Sequence, residues 1–244
     1  MRGHITSLLA AAIALMPVAA RAETSAEAET EARTKATESA APIAISYNLA
    51  IVSDYRFRGL SLTNRDPAVQ GGVDVVFSSG FFAGTWASNI ADYGGSKIEI
   101  DVYAGYGGEL AGLSYSAGAY AYLYPGGNDV NYVELQSTLA KTVGPLTTTL
   151  TLAYTPDQSN TTRDNFYAGL GADVAVGSLP LTASFAVGRE NGGYDEKWDW
   201  SAGLTWKLDL LEISASYVDS NYKGELEAGH NGGAGAVLSV KATF

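Results

Sequence analysis

The residues with the most chemistry to offer in this chain are charged, and they recur at one parity of alternating segments. Asp74, Glu99, Asp101, Glu134, Asp173, Asp199 and Glu212 are each flanked on both sides by apolar residues, and Lys97, Lys197 and Lys241 follow the same alternation. Successive side chains of an extended backbone point to opposite faces, so these groups would share one face. Carboxylates in excess of bases around a water column with low-dielectric walls favour cations and neutral solutes over anions. The competing reading is that each acid is neutralised by a neighbouring base or tyrosine hydroxyl. Arg56 and Arg58, in Ser53-Asp54-Tyr55-Arg56-Phe57-Arg58-Gly59, continue the parity of Asn48 and Asp54. They would reach the same space near one mouth and form a constriction there, since Arg keeps its charge at any relevant pH. The alternative is a bent loop pinned by ion pairs from Arg to Asp54 or Asp101.

Catalytic chemistry is poorly provided for. The chain has no Cys and two His, His4 and His230. Nucleophilic catalysis needs a nucleophile and a base held on rigid elements. His230 lies in the Gly-rich run Glu227-Ala228-Gly229-His230-Asn231-Gly232-Gly233, so neither an enzyme nor a cofactor is expected. No metal site is expected either, because Asp195-Glu196 and Glu225-x-Glu227 lack the spacing of a calcium loop. Gly105-x-Gly107-Gly108 and Gly169-x-Gly171 sit in alternating runs with no helix following, so they are not phosphate loops. A formal charge of −11 leaves no electrostatic case for nucleic acid.

The elements that must position the charges begin after residue 42. Arg2, an apolar run from Ile5 to Ala20 and the small-residue site Ala20-Arg21-Ala22 read as a cleaved export signal over 1–22. The run is short for a bilayer helix, which needs ~20 apolar residues. Residues 23–42 are rich in Ala, Glu and Thr, could bury almost nothing, and read as a flexible acidic extension.

From 43 to 244 twelve segments alternate with period two. They cover about 43–54, 68–77, 81–90, 97–107, 111–123, 129–141, 145–155, 165–176, 180–189, 196–207, 210–219 and 236–244. Mostly long polar connections (55–67, 91–96, 124–128, 156–164, 190–195, 220–235) alternate with tight ones such as Ser78-Ser79-Gly80 and Val143-Gly144. This asymmetry predicts an all-β transmembrane antiparallel barrel of about 12 strands with short periplasmic turns and long external loops. The last strand needs a neighbour on both edges, which closure onto the first supplies.

One face is greasy: Leu146, Leu150, Leu152 and Tyr154 on one strand, Trp198, Trp200, Leu204 and Trp206 on another. Aromatic strand ends (Trp86, Tyr106, Tyr154, Phe166, Trp198, Trp206, Tyr217, Phe244) are expected in two interfacial girdles. The other face is Ser, Thr, Gly and Tyr with sparse charge, which suits a narrow wet lumen better than a soluble surface. Gly72, Gly105, Gly118, Gly169, Gly171 and Gly203 would leave room in it, and Tyr103, Tyr120, Tyr122, Tyr132 and Tyr167 would take room away.

The strings Ser53-Asp54-Tyr55-Arg56-Phe57-Arg58-Gly59-Leu60-Ser61, Pro67-Ala68-Val69-Gln70-Gly71-Gly72, Gly80-Phe81-Phe82-Ala83-Gly84-Thr85-Trp86-Ala87-Ser88-Asn89 and Tyr122-x-Tyr124-Pro125-Gly126-Gly127 resemble the TorF-like porin family, also described as the Gcw_chp family of proteobacterial outer-membrane proteins. The resemblance implies an outer-membrane barrel with a porin role and supplies no substrate or binding residues. Together these features lead one to expect a narrow porin-like channel for small polar, cationic or neutral solutes in the outer membrane of a Gram-negative bacterium, with a periplasmic N-terminus. A plugged barrel presenting loops 55–67 and 220–235 to lipopolysaccharide, a phage or a host surface is the alternative. The lipid bilayer, lipopolysaccharide and the outer-membrane insertion machinery, which would read the terminal Phe244, are the expected partners. Trimer and monomer are both open.

Overall fold

The computed structural model describes residues 42–159, 163–194, 196–223 and 231–244. The expected export signal, nearly all of the extension and His230 lie outside the described residues. The chain forms β1 (Ile43–Val52), β2 (Arg56–Phe57), β3 (Leu60–Ser61), β4 (Ala68–Phe77), β5 (Phe81–Tyr93), β6 (Ser96–Leu110), β7 (Leu113–Leu123), β8 (Tyr132–Val143), β9 (Leu146–Thr155), β10 (Asn165–Ala175), β11 (Leu181–Asn191), β12 (Lys197–Leu208), β13 (Leu211–Ser220) and β14 (Gly235–Thr243). Twelve of these close an antiparallel barrel in which each strand pairs with its neighbours in sequence, and β2 pairs only with β3.

Closure joins β1 to β14 from Asn48 opposite Thr243 to Val52 opposite Ser239. Tyr47 and Phe244 exchange both backbone hydrogen bonds, at 3.1 and 2.9 Å, and Ser53 N–H donates to Leu238 O at 2.8 Å. A spanning sheet has no water to satisfy an open edge, so this seam is what makes the sheet tenable in lipid. Residues 43–46 run past the chain end and pair with β4 alone. That offset is the stagger by which tilted strands close a barrel.

Alternation places exposed large apolar side chains on eleven of the twelve barrel strands, while β7 exposes Ala117 and Ala119. Leu49, Ile51, Phe81, Leu135, Leu170, Phe185, Leu204 and Leu238 are all more than half exposed. A continuous apolar band of this extent is not tolerated on a soluble monomer and is matched by lipid. Tyr106, Tyr154, Phe166, Trp198, Trp206, Tyr217 and Phe244 face outward as expected, but Trp86 does not. It is 4 % exposed inside the barrel, packed on Tyr55 with ring centroids 5.7 Å apart. Position 86 shares the parity of Phe82, Ser88 and Ile90, all inward, and strand parity outranks the general preference of Trp for interfaces.

The connection expected as a long loop at 91–96 is instead a tight turn. β5 and β6 extend to a tight turn at Gly94 and Gly95, both at positive φ (60° and 100°), where Gly95 N–H donates to Asp92 Oδ1. A register irregularity between Asn89 and Tyr93 accompanies this turn. Lys97 is consequently exposed and Ser96 buried, so Lys97 does not join the lumen cations it was grouped with.

Inside, large rings lie flat against the wall over glycine slots. A Cβ on Gly84 would meet the Tyr103 ring at 2.5 Å, and Gly105 and Gly118 leave space for the Phe82 ring. Tyr103 stacks on Tyr120 at 5.1 Å and Tyr122 on Tyr132 at 4.5 Å. The slots therefore make room for the rings on the aromatic side of the lumen, along β5 to β8. Gly84→Val is expected to displace Tyr103 and cost about 1–3 kcal/mol, read as a lower urea midpoint of the refolded barrel in liposomes.

Candidate functional site

The site is built by the first long connection, which turns inward instead of continuing β1. β2 and β3 are the arms of a hairpin whose two-residue turn, Arg58-Gly59, has φ of 47° and 83°. Positive φ at both positions matches the type I′ turn. Gly59 is required twice over, because a Cβ there would lie 2.8 Å from both Asp199 Cβ and Ser220 Cβ. The hairpin tip thus touches β12 and β13 on the inner wall.

Its root is fixed by Asp54. Arg56 Nε donates to Asp54 Oδ2 at 2.6 Å, and Ser61 Oγ and Thr63 Oγ1 donate to Asp54 Oδ1 at 2.6 and 3.3 Å. Arg56 Nη1 also reaches Gly59 O at 3.1 Å and Gly233 O at 2.8 Å. Ser61 N–H donates to Asn231 O, 2.9 Å away, so the first and last loops are stitched together. Arg56 is therefore the pin expected in the alternative, on Asp54, and not a pore-facing charge.

Arg58 reaches across the lumen. Its Nη2 and Nη1 bind Glu134 of β8 at 2.7 and 2.9 Å, and Nη1 binds Glu190 of β11 at 3.0 Å. The guanidinium carbon lies 4.2 Å from the Tyr167 ring centroid and 4.6 Å from that of Phe57. Lys197 binds Glu190 at 2.7 Å and donates to Arg58 O at 2.7 Å. Thr155 Oγ1 and Gln136 Nε2 donate to Glu134 at 3.0 and 2.8 Å, and Asn165 Nδ2 to Glu190 at 2.7 Å. Burial alone would lower the Arg58 pKa; Glu134 and then Glu190 outweigh it and hold the guanidinium well above its ordinary value. The cluster ties the hairpin tip to β8, β11 and β12 by an ion-pair bridge at the long-loop end of the lumen.

The remaining expected lumen charges are inside and are met in two ways. Tyr103 donates to Asp74, Ser184 to Asp173 at 2.6 Å, and Tyr167 to Asp199 at 3.4 Å. Glu99 accepts from Tyr55 at 3.4 Å, and Asp101 is buried on the same strand. Glu212 is held by Lys207 at 3.3 Å and Lys241 at 3.7 Å near the short-turn end. Opposite the aromatic side, the wall from β9 to β13 presents buried hydroxyls. Those of Thr149, Ser201, Ser214 and Ser216 have no hydrogen-bond partner among the described residues.

A family model described as "Bacterial protein of unknown function (Gcw_chp)" matches residues 36–244. The chain belongs to the Gcw_chp family. That description does not carry the TorF-like name. No curated protein sequence matches the chain. Among solved structures, the Gcw_chp barrel is similar to the KdgM porin, with a TM-score of 0.57 and 11% identity over 82% of this chain and 98% of that one. It is also similar to the NanC porin, with a TM-score of 0.55 and 11% identity over 82% of this chain. KdgM is seen in complex with disordered oligogalacturonate at the same TM-score and 10% identity. At such identities the likeness establishes the fold, a closed barrel of the outer-membrane porin kind.

In this Gcw_chp barrel, sequence reasoning misses Glu190 and Lys207 as inward charges, while the Arg56–Asp54 pin is the alternative it offers. Glu190 falls in the expected connection 190–195, whereas β11 continues through it at the parity of Thr182 and Ser184. Lys207 follows Lys197 and Asp199 by even steps, a signal that was present. The fold of residues 56–61 was signalled only by Arg58-Gly59 between two short apolar-polar pairs. Breaking a buried pair leaves an uncompensated charge. Glu134→Ala is therefore expected to cost about 3–5 kcal/mol and Asp173→Ala, which breaks one hydroxyl contact, clearly less, as seen in urea midpoints.

Proposed function

We propose that the protein is a narrow outer-membrane channel for passive passage of small polar solutes, cationic or neutral. In this orientation the N-terminus and short turns face the periplasm and the long loops face outward toward lipopolysaccharide. Its observed fold is that of outer-membrane porins. The observation that carries the solute class is the inner face itself. Asp74, Asp173 and Asp199 are held by hydroxyls, with no ion pair within 4.0 Å among the described residues, and the bases Arg58, Lys197 and Lys207 are engaged by Glu134, Glu190 and Glu212. A lumen with surplus carboxylates and unpartnered hydroxyls favours cations and hydrogen-bonding neutral solutes.

A second reading is a plugged barrel that presents its loops, and the inward hairpin at 56–61 favours it. Phe244 is suited to recognition by insertion machinery in either case, since its ring is exposed at the seam. Planar-bilayer recordings of the refolded protein under a potassium chloride gradient separate the two. The channel reading expects a small conductance with a cation-selective reversal potential that moves toward zero in Asp173→Asn with Asp199→Asn. An anion-selective potential contradicts the solute class, and absence of current supports the plug.

A further inference from the structure

Arg58 occupies a place that other cations would fit. The carboxylates of Glu134 and Glu190 flank its guanidinium, the Tyr167 ring lies 4.2 Å from its carbon, and Thr155 and Asn165 orient the two acids. Every one of these wall residues belongs to β8, β9, β10 or β11. The cradle is therefore part of the rigid barrel, while its occupant hangs from a hairpin with arms of two residues.

Two observations show that the occupant does not saturate the cradle. Asp199, 7 % exposed and bonded through one oxygen to Tyr167, has its other oxygen without a partner. Arg58 Nε likewise has none. The three carboxylates Glu134, Glu190 and Asp199 stand against two cations, Arg58 and Lys197, leaving one negative charge over. Arg58 also sits at a φ of 47°, a conformation costly for a side chain with a Cβ.

We propose that Glu134, Glu190, Asp199 and the Tyr167 face form a binding site for small guanidinium or primary alkylammonium solutes, which donate N–H hydrogen bonds and whose place Arg58 fills in cis when no solute is bound. The proposal rests on the channel reading and names the solutes that channel recognises. Exchanging one cation for another leaves no buried carboxylate bare, so it avoids the penalty of simply breaking the bridge. A planar guanidinium suits the cradle best, since it pairs bidentately with a carboxylate and stacks on an aromatic face. The root can stay in place during the exchange, because Asp54 holds Arg56, Ser61 and Thr63 and Arg56 also reaches Gly233 O, none of which involves the Arg58 side chain. A tethered occupant competes at an effective concentration on the order of millimolar, so solute must be present at about that level.

The test uses methylguanidinium chloride, with tetramethylammonium chloride, which cannot donate hydrogen bonds, as its counterpart. Both are titrated calorimetrically into the refolded full-length barrel and added to planar bilayers, for wild type, Arg58→Ala, and Arg58→Ala with Glu134→Gln. Methylguanidinium is expected to bind wild type saturably at about millimolar concentration, about tenfold more tightly to Arg58→Ala, and not to the double variant. Tetramethylammonium is expected to bind none of them. Equal affinity for wild type and Arg58→Ala, equal binding of tetramethylammonium, or binding confined to the variant overturns the proposal; the last outcome makes Arg58 a permanent pin. Heat-modifiable migration reports folding. If Arg58→Ala does not fold, Arg58→Lys takes its place with a smaller gain expected, and no gain overturns the site. Binding without current in any protein removes the channel and keeps the site, whereas current without binding removes the site and keeps the channel.

Discussion

Closure is the constraint on which everything else in this barrel depends. A sheet in hydrocarbon has no solvent for its edge groups, so β1 must find β14, and the paired backbone of Tyr47 and Phe244 is where it does. Once the seam is made, the pleat assigns the side chains of the barrel strands to lipid or to lumen. Leu238 and Val240 face out at 61 % and 47 % exposure while Val237 and Ser239 are buried. The polar content of the interior follows from that closure.

Closing twelve strands leaves a lumen too wide to be filled like an eight-stranded barrel and too narrow to stay open by default. The chain resolves this with two devices. Glycines at 84, 105, 118, 169 and 188 let Tyr103, Phe82 and Tyr167 lie along the wall, so aromatic bulk lines the bore. The first loop then brings a single guanidinium to the opposite acids at the long-loop end. Burying that charge is tolerable only because Glu134 and Glu190 surround it and are themselves hydrogen-bonded from the neighbouring strands. The bridge at the long-loop end is thus electrostatic, held by a few atoms of Arg58, Glu134 and Glu190.

Most of the barrel was legible in the sequence because lipid imposes a strict period of two, and β4 at 68–77 is the plainest case. The inward acids followed from the same parity. Legibility ended where the backbone leaves the pleat. Extending β1's parity to Arg56 and Arg58 put both inside, yet the strand stops at Val52 and the two side chains do different work, one pinning Asp54 and the other bridging β8 to β11. Lys97 was misplaced by the irregularity beside Asn89, which shifts the phase of the pleat and leaves no compositional trace. Trp86 was misplaced for the opposite reason: its parity was clear, and a general preference of tryptophan for interfaces was allowed to outweigh it.

The central claim is that the tip of the first loop, seated by Arg58, sets the bore. Single-channel conductance before and after replacing residues 57–60 by two glycines tests it most directly, since the root at Asp54 and Arg56 is retained. Removing the tip is predicted to raise the conductance several-fold while the barrel keeps its heat-modifiable migration. An unchanged conductance in a folded variant would contradict the account and place the constriction elsewhere in the lumen.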